Sequence, residues 1–382
     1  AKLKIYGLTL LERACRALEK AGIRHITVLA NGEAQAMENF VQKRAPWTAE
    51  FKVAAGKSLP EELATDQPAN WLILSEPFVL DPALPKQLAQ QSLENEDATV
   101  QAGEGLLFYV PARQVAGFRE NQLSESLKLS ESSFPLGVSP VRNHEQLNEV
   151  KKALRRSLVK PTDGWVSKNL NRPISISISR VLARTSLTPN QFSIFTGLLG
   201  ILTGWLLAQG GYWGFLLGSF LFHLTSVLDG VDGELARLKF KSSPFGQWLD
   251  TMVDNSSFVF ALAGFLVGLY GDGVSAYEKI AGLTALGLLT LALTSLFLYL
   301  KLWNKGGSLL NVEWTFKDGK TRFDRFMLGL GALGKRDLFA LVFFGLGLIG
   351  QLQLALIYVC VMTGMMVGFS IPAHVMAARK KS

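Results

Sequence analysis

Four aspartates, two glycines, one alanine and one arginine stand at fixed intervals between two long apolar segments. From Asp229 the chain reads Asp-Gly-Val-Asp-Gly-Glu-Leu-Ala-Arg; after eight more residues it reads Gly-Gln-Trp-Leu-Asp-Thr-Met-Val-Asp and reaches Asp254. A carboxylate forced to the middle of a bilayer costs roughly 2.5–3.5 kcal/mol on insertion scales. Four of them at helical spacing beside apolar spans point to a use, and the chemistry that suits them is holding metal ions. On a helix, residues three and four apart share a face. Asp229, Asp232, Gly233, Ala236 and Arg237 therefore line one stripe, and Gly246, Asp250 and Asp254 line a stripe on the helix that follows. Gly and Ala leave room for a ligand or a facing helix to approach the backbone. Arg237 adds a positive fork suited to phosphate oxygens.

No cysteine and one histidine, His223, lie near these acids. An oxygen-only set favours Mg²⁺ or Mn²⁺, with phosphate supplying further ligands. Four acids suffice for two ions, and two ions about 4 Å apart clamp a diphosphate. One acid on the rim could instead take the proton of an incoming hydroxyl. The competing readings are interhelical salt bridges, solvated helix ends and the ion pathway of a transporter, because acids in spans mark those as well. A cation-coupled transporter with a regulatory cytoplasmic domain remains the alternative, although it has no need of the Gly, Ala and Arg at these spacings. An interaction scaffold with a degenerate enzyme core is the third. No nucleophile–His pair supports a covalent intermediate.

The elements that must position the acids are apolar helices. The chain has 382 residues and is 48% hydrophobic, and that average hides a division near residue 190, beyond which long apolar runs follow one another. A bilayer core of about 30 Å needs about 20 apolar helical residues. Six candidates fit: 192–209, 212–229, 246–270, 279–303, 337–350 and 352–377. The connections alternate in charge. Segments 209–213, 271–278 and 350–352 carry no Lys or Arg. On the other side stand Arg237, Lys239 and Lys241, then Lys301, Lys305, Lys317, Lys320, Arg322, Arg325, Lys335 and Arg336, then Arg379, Lys380 and Lys381. The positive-inside rule places both termini and the acid motif in the cytoplasm. The net charge of +8 is thereby explained by a lipid bilayer partner, not by nucleic acid. No secretory signal pattern opens the chain, so the spans themselves serve as insertion signals. Cys15 and Cys360 fall in different halves, which argues against a disulfide framework.

Residues 1–158 read as a soluble domain. Thr9 and Glu12 form a capping-box signature for a helix over 10–21, with Gly22 as its stop. Strands are expected at 26–30, 71–74 and 106–110, and helices at 33–43 and 144–158. The last is basic, with Lys151, Lys152, Arg155 and Arg156. Alternating helix and strand implies an α/β layer with a mostly parallel sheet. Residues 159–190 read as a linker and an amphipathic helix lying in the membrane interface. Ile174, Ile178, Val181 and Leu182 share a helical face, and Pro173 suits a first turn. The Ile/Ser alternation there also fits a strand by period two, and a plain linker is the simpler alternative.

The acid string matches D-x-x-D-G-x-x-A-R-x8-G-x-x-x-D-x-x-x-D, the signature of the CDP-alcohol phosphotransferase family, at every defined position. The resemblance extends over about 160–382 and includes the Thr188-Pro-Asn start of the first span. It implies transfer of a phospho-alcohol group from a CDP-alcohol donor to an acceptor hydroxyl, with release of CMP. It implies Asp229, Asp232 and Asp250 as metal ligands, and Asp254 as a ligand or general base. It further implies Gly233, Ala236, Arg237 and Gly246 as contacts of the cytidine diphosphate. Cytidine comes from the resemblance alone. Members often pair, so a homodimer is expected.

The run Gly7-Leu-Thr-Leu-Leu-Glu-Arg, with Ala21-Gly-Ile-Arg-His-Ile-Thr-Val, resembles the early part of sugar-phosphate nucleotidyltransferases. The glycine-rich triphosphate loop of that family has no counterpart here. Its acidic metal pair has none either, with Ser75-Glu76-Pro77 near the expected place. The domain is therefore read as nucleotidyltransferase-like in fold and degenerate or truncated in that chemistry; a generic α/β domain is the other reading. The fusion of two such domains, with its Lys160…Asp163-Gly…Asn171-Arg-Pro-Ile-Ser junction, resembles the bifunctional inositol-1-phosphate cytidylyltransferase/di-myo-inositol phosphate phosphate synthases. A donor of CDP-inositol or CDP-diacylglycerol type follows from the resemblance. Arg336, Lys335 and, more weakly, Arg172 are candidates to bind an anionic acceptor such as an inositol phosphate; the alternative for the Lys335-Arg336 pair is a positive-inside anchor. The expected fold class is multi-domain: an N-terminal α/β nucleotidyltransferase-like (Rossmann-like) domain, then an all-α six-helix transmembrane domain over 191–382.

Overall fold

The computed structural model describes residues 3–30, 34–44, 46–55, 70–74, 78–94, 99–102, 107–111, 127–128, 138–141, 143–270, 275–302 and 335–379. It divides into two compact units, Ala1–Leu158 and Val159–Ser382. Ser75, Glu76 and Pro77 lie outside the described residues, as do 303–334 and 380–382, which hold much of the basic charge expected on the cytoplasmic side.

In the first unit a short antiparallel pair, β1 (Lys4–Ile5) and β2 (Leu8–Thr9), leads into α1 (Leu10–Ala21). The Thr9 hydroxyl accepts from the Glu12 N–H at 3.2 Å, and Gly22 ends the helix at φ 96°. Both ends were legible because only a small side-chain acceptor starts a helix this way, and only glycine takes the left-handed turn without cost. Arg13 is 2% exposed and is satisfied by donating to the Ile5 carbonyl at 3.0 and 2.8 Å.

Strand β3 (His25–Ala30) pairs in parallel with β4 (Glu50–Ala55), linked by α2 (Ala34–Lys43). The other strands are β5 (Trp71–Leu74), β6 (Phe78–Leu80), β7 (Val100–Ala102), β8 (Leu107–Val110), β9 (Leu127–Lys128) and β10 (Val138–Pro140). The mostly parallel sheet expected from the sequence is not what forms among the described residues. The order β5-β8-β7-β9 has antiparallel β5–β8 and β7–β8 pairs, and β10 is antiparallel to β6. A parallel neighbour needs a crossover of a dozen or more residues. Between Ala102 and Leu107 the chain has four residues, enough only for a reversal. Helix α3 (Leu84–Glu94), which the sequence reading passed over, and α4 (His144–Leu158) complete this small sheet-and-helix region.

The second unit is helical. A π-helical turn (Ser167–Asn171) runs into α5 (Arg172–Leu182), followed by α6 (Pro189–Ala208), α7 (Gly211–Leu238), α8 (Pro244–Leu269), α9 (Ala276–Leu302), α10 (Arg336–Leu348) and α11 (Leu352–Arg379). Helix α6 starts with a reciprocal box in which the Gln191 N–H donates to the Thr188 hydroxyl at 3.3 Å and the Thr188 N–H to the Gln191 carbonyl oxygen at 2.9 Å. Four helices, α6 to α9, are long and apolar enough to cross a membrane. Within the described side chains the apolar stretch of α11 is shorter, Leu352–Gly368, and α10 has 13 residues. A count of six spans therefore goes beyond what length and composition give.

Small residues bring α6 and α8 together, with Gly204 facing Gly264. A Cβ on Gly204 would stand 2.6 Å from the Phe260 carbonyl oxygen, one on Gly264 would fall on the Gly204 backbone, and one on Gly268 on the Leu207 carbonyl. Apolar surface gives no driving force between helices in lipid, so close backbone approach at small residues supplies the packing. On the other side of α8, Phe215 and Phe222 of α7 meet Phe265 of α8 and Phe339 and Phe343 of α10 at centroid distances of 5.3–6.0 Å. This clamp fixes the register between α7 and α8, the two helices that carry the acids.

Candidate active site

Helix α7 runs unbroken through Asp229, Asp232, Gly233, Ala236 and Arg237. Helix α8 begins nearly two turns before Asp250. Ser243 caps it by accepting from the Gly246 N–H at 2.9 Å, and Pro244 occupies its first turn. Both acid segments are thus helical, as their spacing requires.

Asp229, Asp250 and Asp254 converge. One carboxylate oxygen from each lies within 4.8 Å of the others. Asp232 stands beside this trio. Its carboxyl is in hydrogen-bonding contact with Asp250 and takes the Ser193 hydroxyl from α6. Asp229 and Asp254 are likewise in contact. Their side chains keep 34% and 29% of their surface open, so a ligand can reach them. The Arg336 guanidinium pairs with both, at 3.2 Å from Asp229.

The charge balance tests whether a metal fits. Four contiguous carboxyls with one guanidinium cannot all be ionised at low cost without further positive charge, because like charges at this separation repel strongly outside bulk water. The donors are all oxygens, with no sulfur or imidazole among them. His223 is stacked on Phe344 with centroids 5.9 Å apart and takes no part. A hard divalent cation fits this set.

The remaining predicted residues divide in two. Gly233 faces open space, since a Cβ there would meet nothing within 4 Å. Gly246 is packed instead, its hypothetical Cβ lying 3.0 Å from Asn190 Oδ1 and 3.1 Å from Ser243 Oγ. Ala236 and Arg237 lie on the same helix one turn beyond Gly233. Of the acceptor candidates, Arg336 is at the acids, and Lys335 donates to the Thr162 carbonyl at 3.0 Å. Arg172 is engaged within the protein. It is 7% exposed and grips Asp163 through Nε and Nη2 at 2.8 and 3.0 Å, and Glu234 through Nη1 at 2.7 Å.

Ser193, Asp163 and Glu234 were missed by sequence reasoning. Ser193 carried one signal, a hydroxyl one turn into an apolar helix. Glu234 lies inside the motif at an undefined position, and only the packing of α5 against α7 shows its purpose. On α5 two of the three serines turn inward, where Ser175 and Ser179 donate to Glu234 at 2.7 and 2.6 Å, while Ser177 is exposed. Outward stand Ile174 and Val181, 44% and 64% exposed, with Trp165 at 77% just before the helix.

Asp163 gives a pH test. Burial alone would raise its carboxyl, but the Arg172 hydrogen bonds and the Lys160 N–H outweigh this and hold it below the usual value. A folded value below the unfolded one stabilises the fold above the ordinary carboxylate range. That stability is lost as pH falls through the lowered folded value. Thermal unfolding in detergent from about pH 6 down to about pH 3 is expected to fall less steeply in Asp163→Asn than in the parent. Parallel curves would show that Asp163 does not contribute.

Residues 186–366 match the family described as CDP-alcohol phosphatidyltransferase. The chain is 31% identical over 190 residues to the "Bifunctional IPC transferase and DIPP synthase" of Aquifex aeolicus, covering 49% of this chain and 39% of that protein. It is 39% identical over 132 residues to the protein of that name from Thermococcus kodakarensis, covering 34% of this chain and 29% of the relative. It is 32% identical over 91 residues to the "Archaetidylinositol phosphate synthase" of Pyrococcus horikoshii, 24% of this chain and 47% of that one. The chain thus spans about two fifths or less of the first two relatives. With its acid signature complete and its carboxylates assembled, the stretch 186–366 matches the CDP-alcohol phosphatidyltransferase family.

Proposed function

We propose that this chain is an integral-membrane transferase that moves a phospho-alcohol group from a CDP-alcohol to an acceptor hydroxyl and releases CMP. The observation that carries the reading is the convergence of Asp229, Asp250 and Asp254 from two apolar helices, beside the open face of Gly233.

Asp229, Asp232, Asp250 and Asp254 would hold Mg²⁺ or Mn²⁺, two ions in the fullest form. When bound, such ions neutralise pyrophosphate oxygens and stabilise charge developing at phosphorus. Gly233, Ala236, Arg237 and Gly246 line the nucleotide side, where Arg237 offsets negative charge on the departing CMP. Asp254, partly open to solvent, accepts the proton of the acceptor hydroxyl. The acceptor oxygen attacks the phosphorus bearing the alcohol, that P–O bond forms, and the bond to CMP oxygen breaks. No covalent enzyme intermediate is needed.

Arg336, beside Asp229 and Asp254, is placed to meet an anionic acceptor such as an inositol phosphate. The similarity to an archaetidylinositol phosphate synthase favours inositol-type donors or acceptors. The exposed Trp165, Ile174 and Val181 seat α5 in the interface. Six spans, a cytoplasmic site and termini, a homodimer, and a nucleotidyltransferase-like first unit complete the proposal.

The test is a panel assay. Purified chain with Mg²⁺ is given CDP-inositol, CDP-glycerol or CDP-diacylglycerol with candidate acceptors, and CMP is measured. CMP release abolished by EDTA is expected. Turnover undiminished in EDTA overturns the metal assignment. Nucleotide-independent cation uptake into vesicles, with no CMP from any donor, would favour a transporter.

A further inference from the structure

A chain of charged residues leads away from the acid cluster into the segment preceding α5. Glu234 is 0% exposed and holds Arg172 together with the hydroxyls of Ser175 and Ser179. Arg172 holds both oxygens of Asp163. Asp163 closes a turn over 160–163, accepting from the Lys160 N–H at 2.8 Å while its own N–H donates to the Lys160 carbonyl at 3.1 Å. Helix α10 ties the same segment from the other side. Lys335 reaches the Thr162 carbonyl at 3.0 Å, and the Ser167 N–H reaches Asp337 at 2.7 Å. Arg336, between these two ties, contacts Asp229 and Asp254. The turn, which begins at Lys160, is therefore fixed next to the acids.

Stability alone gives this network little reason to exist. A buried ion pair replaced by apolar groups of similar volume is often neutral or better, because desolvation offsets the Coulomb gain. Sequence makes specific room for it nonetheless. A Cβ at Gly230 would stand 2.5 Å from Arg172 Nη1, so the guanidinium lies where only a glycine permits. What the network does achieve is a defined place for one cation at the mouth of an acidic site.

We propose that Glu234 and Arg172 are positioning residues that hold the 160–163 turn at the acid cluster, and that Lys160 on this turn contacts the diphosphate of the bound nucleotide. This rests on the reading above that a nucleoside diphosphate binds at the acids. It adds a phosphate contact from outside the signature segment, delivered by a turn ahead of α5.

The experiment measures CDP affinity by calorimetry on the full chain in detergent with Mg²⁺, alongside CMP release. Lys160→Met is expected to weaken CDP about tenfold, the loss of one charge-assisted contact, with Lys160→Arg recovering most of it. The double variant Arg172→Met/Glu234→Met leaves Asp163 without its cation, so its thermal midpoint is expected to fall, and well below that midpoint it is expected to lose a similar factor in CDP affinity. Adding Lys160→Met to it should then cost nothing more, since coupled residues are not additive. If the double variant does not fold, Gly230→Ala displaces the guanidinium with every charge kept and is expected to show the same loss. Unchanged CDP affinity in Lys160→Met, or fully additive losses in the triple variant, overturns the proposal. CMP release with CDP affinity indifferent to Lys160 sinks this inference alone. CDP binding that depends on Lys160, with no CMP from any donor, sinks only the assigned reaction.

Discussion

Asp254→Asn and Asp250→Ala are each expected to lower CMP release by about 10³-fold, for different reasons. General base catalysis contributes typically 10²–10⁴-fold. Asp254 is proposed for this role because its side chain, one of the trio, keeps 29% of its surface open. The amide variant keeps its shape and its reach to Arg336 but cannot take a proton. Its kcat should fall while the Mg²⁺ concentration for half-maximal rate stays near that of the parent. Asp250 is in contact with Asp232 and belongs to the trio, so it joins the two halves of the acid set. Its loss removes a ligand oxygen shared by the whole cluster. Asp250→Ala should therefore raise the Mg²⁺ requirement as well as lower the rate. Measuring rate against Mg²⁺ for both variants decides the matter. Equal Mg²⁺ curves for the two would end the division of roles, and full activity in either would end the assignment of these acids.

The second large effect concerns packing. Gly264→Leu is expected to destabilise the helical unit by about 3 kcal/mol, at the upper end of the cost of overpacking. The added side chain would begin on the Gly204 backbone, which cannot rotate away as a side chain can. Helix α8 would have to leave α6, taking Asp250 and Asp254 with it, so activity should fall together with the unfolding midpoint in detergent. Gly287→Ala is the control. Nothing lies within 4 Å of its hypothetical Cβ, and a helical Gly→Ala change is neutral or favourable by roughly 0.5–1 kcal/mol. If both variants melt like the parent, the close approach of α6 and α8 is not what holds the unit together.

Much of this was legible before any coordinates. Local rules set the helix ends: Thr9 and Gly22 bound α1, Thr188 with Gln191 starts α6, and Ser243 with Pro244 starts α8. Each is a matter of one side chain meeting a backbone group three residues away. The spacing of the acids likewise placed them on two helical stripes, because the helical period is a property of the backbone itself. The partners of Arg172 were not legible, for the opposite reason. Its partners Asp163 and Glu234 lie nine and 62 residues away, and no period connects them. The mostly parallel sheet failed because strand direction is set by pairing, which the propensities of β5, β7 and β8 do not encode.

The sequence by itself determined that four carboxylates would sit on the polar ends of apolar helices, since hydropathy and helical period are local. Only the tertiary structure decided which of them share a centre, that Arg336 would stand against that centre, and that Glu234 would turn away to hold Arg172. Those outcomes depend on the register of α7 against α8 and of α5 against α7. Register is fixed by glycine contacts and aromatic stacking between residues far apart in the chain, and those distances are summed over the whole fold before any one of them is set.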